Sequence, residues 1–165
     1  MADGLTYPEV GATLALALPA GYHHLDVRRW VGTEAVFDTL GDFVLGWGIQ
    51  RAAGLRVPTE VLSEGSSVTL RLGLLRVPVR VVRVVDEPDR CGFVYGTLQG
   101  HPETGEEAFL AERDDLGTWV HIRAFSRPGT WYSRVGSPLA SWMQRRYTER
   151  YLRAAQDAVT QAGSA

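Results

Sequence analysis

Gly92-Phe93-Val94-Tyr95-Gly96-Thr97-Leu98-Gln99-Gly100-His101-Pro102-Glu103-Thr104-Gly105-Glu106-Glu107-Ala108-Phe109 reads as two strands folded around a Gly/Pro turn, with an acidic pair where the chain re-enters the sheet. The next strand follows Asp114-Asp115-Leu116-Gly117 and ends in a second polar knot, Ala124-Phe125-Ser126-Arg127-Pro128. That short turn sets a register. If Arg113 pairs with Thr118, then Phe109 lies opposite Ile122 and Glu107 opposite Ala124. One face then carries Glu107, Phe109, Ala111, Val120, Ile122, Ala124 and Ser126. The other carries Glu106, Glu112, Trp119, His121, Arg123 and Arg127. The first is the interior face, because a slip of one residue would turn its apolar set toward solvent. A symmetric Gly100–Gly105 turn adds Tyr95 and Thr97 to it.

The same period of two runs upstream. Val68, Leu70, Leu72 and Leu74 alternate with Ser67, Thr69, Arg71 and Gly73, and Val77–Val85 is a further strand stopped by Asp86-Glu87-Pro88-Asp89. Links this short favour an antiparallel meander. Before it, residues 1–20 read as an irregular leader and Tyr22–Val31 as a strand. Thr33 is then a helix N-cap, followed by Val36, Phe37, Leu40, Phe43 and Val44 at helical spacing, with Gly46 and Gly48 ending or kinking that helix. After the meander, Ser137 and Pro138 open a terminal helix over 138–160. Its apolar face carries Leu139, Trp142, Met143, Tyr147, Tyr151, Ala154, Ala155 and Ala158. This order predicts an α+β fold, a curved antiparallel sheet around a long C-terminal helix. With no linker or repeat in its 165 residues, the chain reads as a single domain, 1–165.

Composition removes several classes of chemistry. All 17 basic residues are arginine, which excludes a Schiff-base, P-loop or general-base lysine. Cys91 is alone, so no intrachain disulfide or Cys-rich zinc site can form. A net charge of −2 provides no broad reason to bind nucleic acid, and no nucleic-acid partner is expected. Arg145, Arg146, Arg150 and Arg153 read as the solvated edge of the last helix, with an anion contact as the alternative. Ala12–Ala20 resembles the apolar core of a signal peptide but lacks a basic n-region and is too short to span a bilayer. The expectation is a cytoplasmic protein without a membrane span. His23, His24 and His101 form no ligand pattern, and no metal or cofactor is expected. Trp30, Trp47, Trp131 and Trp142 are expected to be core aromatics.

Tyr95, Glu107 and Ser126 are therefore inward polar groups near one end of the sheet. A buried carboxylate without a partner is costly and tends to keep its proton. Glu107 either pairs with an arginine or with turn amides, or serves as a polar anchor or general acid in an interior cavity; a shifted register would leave it in solvent.

Leu5-Thr6-Tyr7-Pro8-Glu9-Val10-Gly11, the stretch from Phe93 to Phe109 with its Tyr95-Gly96-Thr97-Leu98, His101-Pro102 and Gly105-Glu106-Glu107, and Phe125-Ser126-Arg127-Pro128 resemble a family of uncharacterised bacterial and plant proteins described as a domain of unknown function. The resemblance covers nearly the whole chain. That family is similar in turn to the START-like (Bet v 1-like, SRPBCC helix-grip) superfamily. The resemblance implies a helix-grip fold with a hydrophobic cavity between sheet and terminal helix, but it carries no activity with it.

Three functions stay open at this point. The first is a binding protein holding an apolar small molecule, with Tyr95, Thr97, Glu107, Phe109 and Ser126 as ligand contacts and His101 and Arg127 at the rim. The second is an enzyme of cyclase, dehydratase or hydrolase type using Glu107 as general acid or base. The third is a structural or partner-binding domain with a filled core. The sequence names neither the ligand nor the oligomeric state.

Overall fold

The alternation that begins at Val68 becomes a five-strand meander. It comprises β2 (Ser67–Leu72), β3 (Leu75–Glu87), β4 (Arg90–Thr97), β5 (Glu103–Asp114) and β6 (Gly117–Pro128). β1 (His23–Gly32) returns to pair with β6, so the sheet order is β1-β6-β5-β4-β3-β2, antiparallel throughout. The computed structural model describes residues 4–57, 62–129 and 137–162, without the side chains of 137–147. The expected apolar positions Leu139, Trp142, Met143 and Tyr147, with Trp131, Arg145, Arg146 and the Ser137 side chain, lie outside the described residues.

Pairing across the Asp114–Gly117 turn runs as expected, with Arg113 opposite Thr118, Phe109 opposite Ile122 and Glu107 opposite Ala124. Register shifts in β1 between Trp30 and Gly32 and in β3 between Val81 and Arg83 add the local twist that curls a sheet. Between β1 and β2 lie a short 3₁₀ turn and helices α1 (Phe37–Leu45) and α2 (Gly48–Ala52). They meet at Trp47, whose φ of 59° is the sole positive value for a non-glycine among the described residues. That conformation costs about 1–3 kcal/mol. It lets the indole drop into the core, 4.5 Å from the Phe93 ring by centroids.

Helix α3 (Ser137–Ala162) closes the concave side against α1, α2 and β1. Tyr151, Leu152, Ala155 and Val159 are buried at helical spacing, and Tyr151 meets Phe109 edge-on at 5.4 Å. The main core therefore lies between the concave face of β2–β6 and the helices. This is an α+β fold of helix-grip type.

Four expectations need correction. Leu74 is not part of the inward alternation: with Gly73 it forms the β2–β3 turn, where it is fully exposed. Trp30 is 48% exposed on β1, its indole N–H donating to the Leu116 carbonyl. Thr33 occupies a capping position without a side-chain capping bond; its carbonyl instead accepts from the Thr118 hydroxyl. The Gly100–Gly105 turn is asymmetric, because β5 already begins at Glu103, and this register puts Tyr95 on the interior face opposite Glu107.

Candidate functional site

Tyr95 on β4 and Glu107 on β5 are direct cross-strand partners, so their side chains leave the same concave face side by side. The Tyr95 hydroxyl donates to Glu107 Oε2 at 2.7 Å. Burial pushes the Glu107 carboxyl up to about 7; the tyrosine donor pulls it down and the nearby Glu103 charge pushes it further up. Burial, the Glu107 charge and the Tyr151 side chain raise Tyr95 well above the ordinary phenol range, so it stays a donor near neutrality. Among the described residues lining this site there is no arginine to pair with Glu107.

The site continues toward the start of β5. Ser126 pairs across the sheet with Gly105 and hydrogen-bonds the Glu103 carboxylate, offsetting part of the burial that raises Glu103. His101 Nδ1 accepts from the Glu103 backbone N–H at 2.9 Å, and burial lowers the imidazole to about 4, so the ring is neutral. The Thr97 hydroxyl accepts from Gly105 N at 2.9 Å and locks the β4 end to β5. Together these groups form one end of a pocket of about 300 Å³. Leu55, Leu72, Leu75, Val77, Ala124 and Tyr151 supply its apolar walls.

Glu106 points the other way. The convex face at this place is not solvent: Glu106 is 3% exposed, roofed by the segment from Leu5 to Thr13. Its Oε2 accepts from the Tyr7 hydroxyl and Gly11 N, both at 2.7 Å, and its Oε1 from Thr13 N at 3.0 Å and the Thr13 hydroxyl at 2.6 Å. Two glycines make this possible. A side chain at Gly96, opposite Glu106, would strike the Tyr7 ring; one at Gly105, with φ +154°, would strike the Phe125 carbonyl. The Gly-Glu-Glu triplet thus sends one carboxylate to each face of the sheet.

Of the residues expected at the site, the structure brings Tyr95, Thr97, His101, Glu107 and Ser126 to the pocket. Phe109 is not on its wall but fully buried behind it, between Phe93, Tyr95 and Tyr151. Arg127 is not at the rim: its guanidinium lies over the Tyr22 ring at 4.8 Å. Glu103 and the leucines of β2–β3 were missed. Parity with Glu107 could have found Glu103 had β5 been started earlier. Leu55 and Tyr151 join the site through tertiary packing, which no local pattern encodes. Among the described residues no group of three or more His, Cys, Asp or Glu is placed to hold a metal, and no helix is long and apolar enough to cross a membrane.

A family model described as "Domain of unknown function (DUF1990)" matches residues 6–154. A UPF0548 protein of Deinococcus radiodurans is 51% identical over 75 residues, 45% of this chain and 38% of that protein. One from Arabidopsis thaliana is 36% identical over 78 residues, 43% of this chain and 38% of the relative. The chain thus spans well under half the length of these curated relatives. Among solved structures, the hypothetical protein jhp0584 of Helicobacter pylori aligns with a TM-score of 0.62 at 8% identity, covering 95% of this chain and 96% of that one. Ara h 8.0201, a Bet v 1-like protein, aligns at 0.57 and 10% identity over 86% and 99%. At such identities these likenesses establish the fold alone.

Proposed function

The chain belongs to the DUF1990 family, and we propose that it is a small-molecule-binding protein holding a largely apolar ligand between sheet and helix. The observation that carries this reading is the Tyr95–Glu107 pair at the polar end of a pocket of about 300 Å³ whose remaining walls are largely apolar. That size is at the lower end of about 300–1,000 Å³ for small-molecule sites, and apolar walls with a few convergent polar groups are their usual lining. The ligand is an apolar body with one polar group. The body lies against Leu55, Leu75 and Val77, and the polar group meets Glu107 and Ser126. With its carboxyl near 7, Glu107 serves as donor or acceptor at neutral pH.

Native mass spectrometry of freshly purified protein tests this reading: a co-purifying small molecule is expected, released on denaturation and reduced in a Glu107→Ala variant. Protein that carries nothing, and whose tryptophan emission ignores apolar probes, contradicts it. The emission test has a placed reporter, since Trp47 stacks on Tyr95 at 6.1 Å.

A second reading rests on the same raised carboxyl. A group titrating near the working pH suits general acid–base chemistry. Glu107 would then turn over the molecule that co-purifies, and Glu107→Gln would retain binding while abolishing turnover. The filled-core alternative is served by neither observation. That residues 1–165 form a single domain, and that the protein is cytoplasmic, stay part of this proposal.

A further inference from the structure

The β2–β3 hairpin ends in Arg71-Leu72-Gly73-Leu74-Leu75-Arg76, and its apex is neither buried nor neutralised. Gly73, at φ +58°, takes the first corner of the two-residue turn, and Leu74 at the second is fully exposed. Leu75 beside it is 40% exposed. An isolated leucine on a surface means little, but this one is framed by charge. Arg71 sits directly opposite Arg76 in the ladder, and Arg56 pairs with Arg71 from the other side. Three arginines therefore form a row across neighbouring chain segments, on the face opposite the inward Leu72 and Val77.

Like charges placed directly opposite one another destabilise a sheet. Among the described residues none of the three makes an ion pair or a side-chain hydrogen bond. An uncompensated basic row beside an exposed apolar apex lacks an external partner that is both anionic and able to accept leucine side chains. Nucleic acid satisfies the first requirement without the second, and an acidic protein surface offers nothing specific for the apex. The surface of a bilayer satisfies both: leucines enter the acyl boundary while arginine stems lie along it with their heads at the phosphates. The location adds a consequence, because Leu72 and Leu75 of this same hairpin line the pocket.

We propose that the β2–β3 hairpin tip is a docking element for an anionic lipid surface, with Leu74 inserting and Arg56, Arg71 and Arg76 contacting headgroup phosphates. Docked in this way, the protein presents the wall of its pocket to the membrane. The contact does not depend on whether the pocket is occupied.

The test is flotation of the full chain with vesicles of phosphatidylcholine, with and without phosphatidylserine. Binding is expected to the mixed vesicles, weakening with added salt. The double change Arg71→Gln with Arg76→Gln should lower partitioning by about 30-fold, two basic contacts' worth, and Leu74→Ser by about tenfold. Because these side chains are exposed, thermal melts should be unchanged or, for the arginine pair, higher. A Leu74→Trp variant should show a blue-shifted emission with the mixed vesicles only. Failure of the unmodified protein to bind mixed vesicles overturns the proposal, as does binding that ignores both sets of substitutions. So does arginine-dependent binding to an oligonucleotide in place of vesicles, which would mark the row as a nucleic-acid contact.

Discussion

Glu106 and Glu107 are adjacent, chemically identical, and meet opposite fates because a strand sends consecutive side chains to opposite faces. Glu107 faces the pocket and gains one neutral donor; Glu106 faces the N-terminal segment and gains four. The two should respond differently to substitution. For Glu107 the folded carboxyl titrates near 7, above its ordinary value of 4.5. Folding therefore favours the protonated form. The stabilisation is complete below about pH 4.5 and is lost as pH rises through about 7. Its size is on the order of 2 kcal/mol once partial exposure is discounted. Denaturant melts across that range should show wild-type stability falling relative to Glu107→Gln, whose stability should lack this component; parallel curves would contradict the burial argument. Glu103 is raised in the same direction, so the difference between the two proteins, rather than the absolute slope, isolates Glu107. Glu106→Ala should instead cost on the order of 3 kcal/mol at neutral pH, since it strands buried donors. Amide exchange should accelerate across residues 5–13; unchanged protection there would mean the carboxylate does not hold the segment.

At the level of elements, the hairpin Glu103–Pro128 was legible because its turn is short and its two faces differ sharply in polarity. Tyr95, Glu107 and Ser126 were legible with it, as polar residues at positions of the right parity. Period alone does not say what covers the other face. The N-terminal stretch, read as an irregular leader, contains one 3₁₀ turn, Ala12–Leu14, and little other regular structure, yet it pairs Leu5 with Leu98 and buries Tyr7 against Phe125. Its structure comes from partners about ninety residues away, so no local pattern could announce it. Leu74 departs from the expected alternation for the converse reason: a turn ends the period that the spacing of the leucines continues. The close approach of β5 to β6 at Gly105 is open to test. Gly105→Ala asks a β-carbon to occupy the space of the Phe125 carbonyl in a backbone conformation that side chains disfavour. It should destabilise by well over 1 kcal/mol, read by thermal melt, with loss of the Thr97–Gly105 contact. A neutral effect would contradict the close crossing of β5 and β6.

For the whole molecule, the six-strand sheet curls around α3 and leaves a polar-ended pocket where β4, β5 and β6 meet the helix. Under the proposed function this space is a binding site rather than a packing defect. Val77 is partly buried on the pocket wall and marginal to the packed core, so a larger side chain there enters the pocket without overpacking it. Titration with the neutral apolar fluorophore N-phenyl-1-naphthylamine, comparing wild type with Val77→Trp, separates the two. Saturable one-to-one binding to wild type is predicted. In Val77→Trp that affinity should fall at least about tenfold while stability changes by less than about 1.5 kcal/mol, because the added ring fills space rather than displacing neighbours. Absence of saturable binding to wild type, or equal affinity in the filled variant, would contradict a ligand site between sheet and helix.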